Sequence, residues 1–396
     1  MIVCSRSLRE IFCLPSRSSI NSAVNDIEIC DRAHAGRLLK QIRDIEKVAP
    51  LFRDAGLIRA VPKVATVDLA VSGVASHSCI SKALGGYIYA SAAVRTDLSI
   101  QENKVSTVGT DSVSELDDID FEAQRKRLDL VEMRNSYALV ERLLQQGGPV
   151  QLILIDTPLF ISREMTPLKR NVRHWAEFEK TRGAIEQFWL NHRSKLFPWN
   201  PSGPVLVSIL VERFSAIVSI ARQDLRTEEG RKLVLVSDGL VDAGIERLQG
   251  LEERLMGIGD TRFINGILGG FTRTIAFRMA ENPEDRSRME PAAQAVQGVI
   301  GFHYRSSRPG EIRLAQLAGD QKDWTSERLD TVAWRLMVLD MQSQRKAMPL
   351  PQLLSRQQLN ILEKFTAYYR QGLGEALRGN DVETTWLSGL DEGTET

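Results

Sequence analysis

The sequence predicts a mixed α/β fold, one sheet flanked by helices with additional helices at the C-terminal end, and three observations predict it. Three β-rich segments (64–80, 87–94 and 104–110) follow one another at spacings too short for helices between them, which gives antiparallel hairpin connections. A helical segment over 121–146 then leads into 149–156, an almost wholly apolar run that suits a central strand covered on both faces. A further helical region (168–196) and a further apolar strand (205–211) continue the alternation.

The remaining elements follow in order. Residues 1–28 are rich in Ser and Arg with little periodicity and read as a flexible arm. Leu38, Leu39, Ile42, Ile45, Val48 and Leu51 recur at helical spacing over 30–55, and Pro62 ends that element. The acidic stretch 111–122 reads as a lead into the 121–146 helix. That helix carries Met133, Tyr137, Val140 and Leu144 on one stripe and is stopped by Gly147-Gly148. A sixth strand is expected at 232–236, a glycine-interrupted helical insert over about 240–295, and a late hairpin from 299–304 and 311–317. Amphipathic helices over 324–345 and 354–378 close the domain (29–380), and 381–396 is an acidic tail. The strand and helix order, with a core over about 62–240, is that of an RNase H-like sheet. A doubly wound sheet would need helices between the first three strands.

Composition narrows the function. The 396 residues contain 51 basic and 51 acidic side chains, a zero formal net charge that excludes coating of DNA by bulk electrostatics but not a local acidic site with a basic rim. Cys4, Cys13, Cys30 and Cys79 form no C-x-x-C pair, and the five histidines form no H-x-x-x-H pair, so zinc sites are disfavoured. There is no P-loop motif. No run reaches the roughly 18 apolar residues of a membrane span, and the opening apolar stretch is too short for a signal peptide. The expectation is a cytoplasmic protein without membrane contact.

The chemistry rests on carboxylates. Val64-Ala65-Thr66-Val67-Asp68 and Gln151-Leu152-Ile153-Leu154-Ile155-Asp156 each read as a strand ending in an acid, and Glu132 lies on the helix between them. A half-buried carboxylate is unfavourable unless paired or metal-bound. An all-carboxylate set suits hard cations, Mg²⁺ or Mn²⁺. Two such ions clamp an in-line displacement at phosphorus. The expected catalytic and metal-binding set is therefore Asp68 bridging the ions, Asp156 on one of them, and Glu132 reaching in from its helix. The blander reading of each acid is a helix or turn cap. Glu141, beside Arg142, reads as a solvated helix acid. Ser237-Asp238-Gly239 after the sixth strand reads first as a turn.

Over roughly 35–365 the chain resembles the NurA nucleases, RNase H-like exonucleases that act beside the HerA DNA-translocating ATPase. Thr66-Val67-Asp68-Leu69-Ala70 stands where the family has A-V-D-G-S, and Arg127 to Glu132 is similar to its R-x-x-x-x-E helix. Leu154-Ile155-Asp156-Thr157-Pro158-Leu159 is similar to its L-I-D-G-S/P-L. Gly259 to Ile264 and Leu268 to Thr274 stand for its D-R-x-L-L and L-x-x-G-E-R-S runs. The resemblance implies a metal-dependent DNA nuclease, DNA and a HerA-like ATPase as partners, a homodimer, and a part in DNA repair or antiviral defence. It adds Asp260 and Arg273 as site or DNA-contact residues. The chain departs from the pattern by losing the glycine of both D-G-S triplets and by carrying Ser355-Arg356 where the family has its C-terminal histidine. Arg356 is the residue expected to hold phosphate there. The alternative these departures leave open is a catalytically degenerate adaptor subunit of such an ATPase complex.

Overall fold

A computed structural model describes residues 17–64, 68–83, 86–102, 104–162, 165–211, 240–248, 258, 260–279, 298–307, 311–343 and 348–378. The expected strand at 232–236, Asp238 and the acidic tail 381–396 lie outside them. One ten-stranded sheet organises these residues, in the order β1-β7-β9-β10-β6-β5-β2-β3-β4 with β8 beside β9. Strands β2 (Leu69–Ala83), β3 (Gly86–Gln101) and β4 (Lys104–Ile119) form an antiparallel meander. Helix α2 (Gln124–Gln146) crosses over to β5 (Leu152–Ile155), parallel to β2, and α3 (Val172–His192) crosses to β6 (Val205–Leu210), parallel to β5. This is the RNase H-like order expected from the sequence.

Beyond β6 the sheet is extended by a second, antiparallel half. It comprises β1 (Ile58–Ala60), β7 (Thr272–Thr274), β8 (Phe277–Arg278), β9 (Val299–Arg305) and β10 (Arg313–Ala318). The late hairpin β9–β10 falls where the sequence puts it. The helices are α1 (Arg17–Asp54), α4 (Asp242–Glu246), α5 (Asp260–Ile267), α6 (Ser326–Gln342), α7 (Leu350–Leu359) and α8 (Leu362–Arg378). Ile153 and Ile155 pack with the α2 and α3 side of the core, among Met133, Tyr137, Val140 and Trp189. Leu152 and Leu154 pack on the opposite side with Leu336 and Met337 of α6. All four β5 side chains are fully buried, as a central strand covered on both faces requires.

Several expectations are corrected. Helicity begins at Arg17, inside the segment read as an arm. The 240–280 region contains β7 and β8 as well as helices, and the last helical segment is two helices, α7 and α8. The acidic stretch 111–122 is largely strand: β4 runs to Ile119. Its acids are matched by basic partners, which is why an acidic run tolerates edge-strand geometry. Asp111 pairs with Arg95 and Arg142, and Glu115 with Arg134 and Lys180. Most consequentially, β2 begins at Leu69, so Asp68 precedes the strand instead of ending it, and Val64 is exposed.

Candidate active site

At the C-terminal end of β5 the chain turns at Asp156. Two hydrogen bonds fix the loop that follows: the Leu159 N–H donates to Gln316 Oε1 (2.9 Å), and Tyr137 Oη donates to the Leu159 carbonyl (2.7 Å). Asp156 is held from β2. The Ser76 N–H donates to both carboxylate oxygens (3.1 and 3.0 Å), and the Ser76 hydroxyl donates to Oδ1 (3.0 Å). Its side chain is only 14% exposed, and burial pushes the carboxyl up to about 6 against the Ser76 bonds and the charge of Arg356.

Glu132 approaches from α2. Burial pushes it up to about 7, the Ser78 hydroxyl and Arg125 pull the other way, and the Asp156 charge adds to the rise. The Asp156 charge thus reaches Glu132 across the end of the sheet. Glu132 Oε1 and Thr157 Oγ1 are buried without a hydrogen-bond partner, and the Ser78 hydroxyl faces the Glu132 carboxyl. Buried polar groups are ordinarily satisfied, so this pocket is short of partners of the kind a hydrated cation supplies. The donor set is oxygen only, which suits Mg²⁺ or Mn²⁺.

The third face comes from α7. Gly73 lets this helix lie directly on β2: a Cβ there would sit 2.6 Å from backbone atoms of Pro351 and Gln352. The Ser355 hydroxyl donates to the Gly73 carbonyl (2.8 Å) and lies 2.8 Å from the Thr96 hydroxyl. This seating brings Arg356 Nη1 to 3.8 Å from Asp156 Oδ2, with half of the Arg356 side chain exposed.

The structure thus gathers Glu132, Asp156 and Arg356. It does not bring Asp68 to them. Gly73 pairs with Leu154, and continuing that parallel register sets Asp156 level with Ala75, seven residues from Asp68. The separation is about 23 Å along the strand at the usual rise. Asp68 is exposed, accepts a bond from the Glu102 N–H (3.1 Å), and lines a cleft of about 880 Å³ with Arg59 and Trp334. Asp68, expected to bridge the ions with Asp156, stands apart from it here because the strand that pairs with β5 starts after it.

Arg273 is also elsewhere, on β7, fully buried. It donates to Asp330 Oδ1 (2.6 Å) and to the Ser326 and Thr274 carbonyls, which makes it a brace between β7 and the start of α6. Asp260 begins α5, and its side chain lies outside the described residues. Glu141 is partly exposed and 3.0 Å from His192. Sequence reasoning missed Ser76, Ser78 and Thr157. The signal available was the run of small residues 71–78, whose serines at 72, 76 and 78 share one face of a strand by alternation.

Fold and site define a class, the α/β proteins built on a nuclease fold of RNase H-like order. The particular fold is that of the NurA nucleases. The NurA nuclease from Sulfolobus solfataricus superposes with a TM-score of 0.53 over 92% of this chain and 98% of its own, at 12% identity. A NurA structure with manganese aligns over 88% of this chain and 97% of its own at 10% identity, TM-score 0.39. Bacillus subtilis Endonuclease V aligns over 81% and 91% at 10% identity, TM-score 0.34. No protein-family model and no curated protein matches the sequence. At such identities the likeness is one of fold.

Proposed function

We propose that the protein is a divalent-metal-dependent DNA nuclease whose centre is the Glu132–Asp156 pocket. One observation carries the reading: at the C-terminal end of β5 in a nuclease-fold sheet the largely buried Asp156 carboxylate faces the Arg356 guanidinium of α7 at 3.8 Å, with the Glu132 carboxylate of α2 within reach of its charge. Asp156 and Glu132 would hold Mn²⁺ or Mg²⁺. Such an ion, when bound, polarises a phosphoryl oxygen and acidifies water. Ser76 keeps the Asp156 carboxylate in one orientation through three contacts. Arg356, half exposed, takes a DNA phosphate through charge-assisted hydrogen bonds and orients it toward the acids. The resemblance extends the reading to end processing in the cytoplasm, in repair or antiviral defence, with a HerA-like ATPase and a second copy of this chain as partners. Among the described residues no helix is long and apolar enough to cross a membrane.

A second reading has its own observation. Ser76 stands on β2 beside Asp156, and no group of three or more His, Cys, Asp or Glu able to hold a metal occurs among the described residues. That pattern suits a degenerate nuclease-fold adaptor. Labelled linear DNA incubated with the full chain and Mn²⁺ separates the two. Cleavage abolished by a chelator and by Asp156→Asn is the expected result. A wild-type chain that stays inert, even with a HerA-like ATPase present, establishes the adaptor.

A further inference from the structure

We infer that the basic face around Asp120 docks a single-stranded segment of the DNA substrate, with phosphates on Arg125, Lys126, Lys169 and Arg170 and an unpaired nucleobase on the Phe121 ring. The inference rests on the nuclease reading above and deepens it by naming the form of the substrate. Two basic runs far apart in sequence, 125–127 and 169–173, meet at this point of the fold. Asp120, in the loop between β4 and α2, takes both the Arg127 and the Arg173 guanidinium, the latter at 2.6 Å. One carboxylate between two guanidiniums leaves that trio with surplus positive charge. The neighbouring Glu122 is committed to the His174 N–H, which donates to it at 2.8 Å. Around this junction Arg125, Lys126, Lys169 and Arg170 are all exposed. Arg125 pairs with Asp129 one turn on, yet 68% of its side chain stays exposed. A surface pair of that kind contributes under about 1 kcal/mol, so a phosphate displaces it.

The face lies beyond Asp156 on the same end of the sheet. Ile119, the last residue of β4, pairs with Tyr87, which pairs with Lys82 of β2. Ser76 of β2 is bonded to Asp156, so the loop carrying Asp120 stands about 20 Å past that acid in the direction in which β5 ends. In open α/β sheets ligands occupy the space outside the carboxyl ends of the parallel strands. Charge alone fits any polyanion, and Phe121 selects among them. It is 75% exposed beside these basic side chains, and Tyr87 holds its ring edge-on with 4.9 Å between centroids. An exposed aromatic ring among cationic groups is a platform on which unpaired nucleobases stack. In a duplex the bases already stack on one another, so the ring adds nothing to duplex binding.

Fluorescence anisotropy of a labelled single-stranded oligonucleotide, and of its duplex, with the full chain in a chelator tests this apart from cleavage. Lys169→Gln with Arg170→Gln is expected to lower the slope of log affinity against log salt by about 1.4 for the single strand, the loss of two phosphate contacts. Arg125→Gln, on a different element, is expected to lower it by about 0.7. Phe121→Ala is expected to weaken the single strand at least about fivefold and to leave its salt slope and the duplex affinity unchanged, while Phe121→Trp keeps the wild-type affinity. Arg247→Gln, at the exposed end of α4, is the control for lost charge and changes neither. Unaltered affinity and slope in cooperatively melting basic variants overturn the inference and leave the nuclease reading intact. An effect of the basic variants with none of Phe121→Ala overturns the single-strand assignment and makes the face a site for duplex DNA or an acidic protein. An equal loss for the duplex in Phe121→Ala marks that ring as structural and overturns its role. A wild-type chain that binds single strands through this face but stays inert in Mn²⁺ overturns the nuclease reading and leaves the docking standing. A wild-type chain that binds no DNA overturns both.

Discussion

Asp156 carries more of the proposed chemistry than any other side chain, and its environment says what its removal does. It is buried, raised to about 6, and bonded three times to Ser76. Asp156→Asn keeps the shape and loses the charge, so turnover on linear DNA in Mn²⁺ should fall by at least about a hundredfold. DNA binding, measured by fluorescence anisotropy, should persist, because Arg356 and the surrounding surface remain. A buried acid outside the site, Asp340, adds its own pH dependence of stability. Asp340 on α6 is pushed up to about 7 by burial, with the Arg313 guanidinium and the Ser306 and Tyr304 hydroxyls pulling the other way. Its unfolded counterpart ionises near the usual carboxylate value. Between the two values the folded chain holds a proton that the unfolded chain has released, so stability falls as pH rises from about 4 to 7. Asp340→Asn removes that linkage. The melting temperature of the variant relative to wild type should therefore rise from pH 4 to about pH 7 and level off above it, and a constant difference across that window would refute the assignment.

Elements explain what single residues do not. Arg356 reaches Asp156 because α7 rests on β2 at Gly73, a position where any Cβ meets helix backbone. Gly73→Ala must push α7 away. A stability loss of about 1–3 kcal/mol is expected for such overpacking, together with a rise in KM for DNA. If α7 acts through Arg356, the KM effects of Gly73→Ala and Arg356→Ala will not add, whereas independent sites would add. At this scale the sequence was legible wherever burial alone decides. The apolar 149–156 run, the α2 stripe and the β9–β10 hairpin follow directly from periodicity. It was illegible where tertiary partners override composition. The acids of β4 read as a polar lead until Arg95, Arg134 and Arg142 arrive from β3 and α2 to pair them. The start of β2 was misplaced because Val64-Ala65-Thr66-Val67 has strand composition, while the buried strand that pairs with β3 and β5 begins two residues later, at Leu69.

That small offset changes the molecule's geography. With Asp68 at one end of β2 and Ser76 beside Asp156 toward the other, the sheet carries two separate features: the carboxylate pocket at the C-terminal end of β5, and the cleft of about 880 Å³ at the start of β2. The position of Asp156 at the end of β5 was legible, since the apolar run 152–155 stops at it. The Ser76 contact was not, because a serine in a run of small residues carries no chemical signature until the parallel register sets it against Asp156. The geography has a direct test in Asp68. If hydrolysis belongs to the far pocket, Asp68→Asn should leave the Mn²⁺-dependent rate within about twofold of wild type, since a charge about 23 Å away along the strand acts only through a screened field. Mn²⁺ should also raise the melting temperature of Asp68→Asn as it does that of wild type, and should fail to raise that of Asp156→Asn, because only the native site gains binding free energy. Loss of both the rate and the metal-induced stabilisation in Asp68→Asn would mean that Asp68 joins Asp156 in the working enzyme, and that the register placing them apart is not the active one.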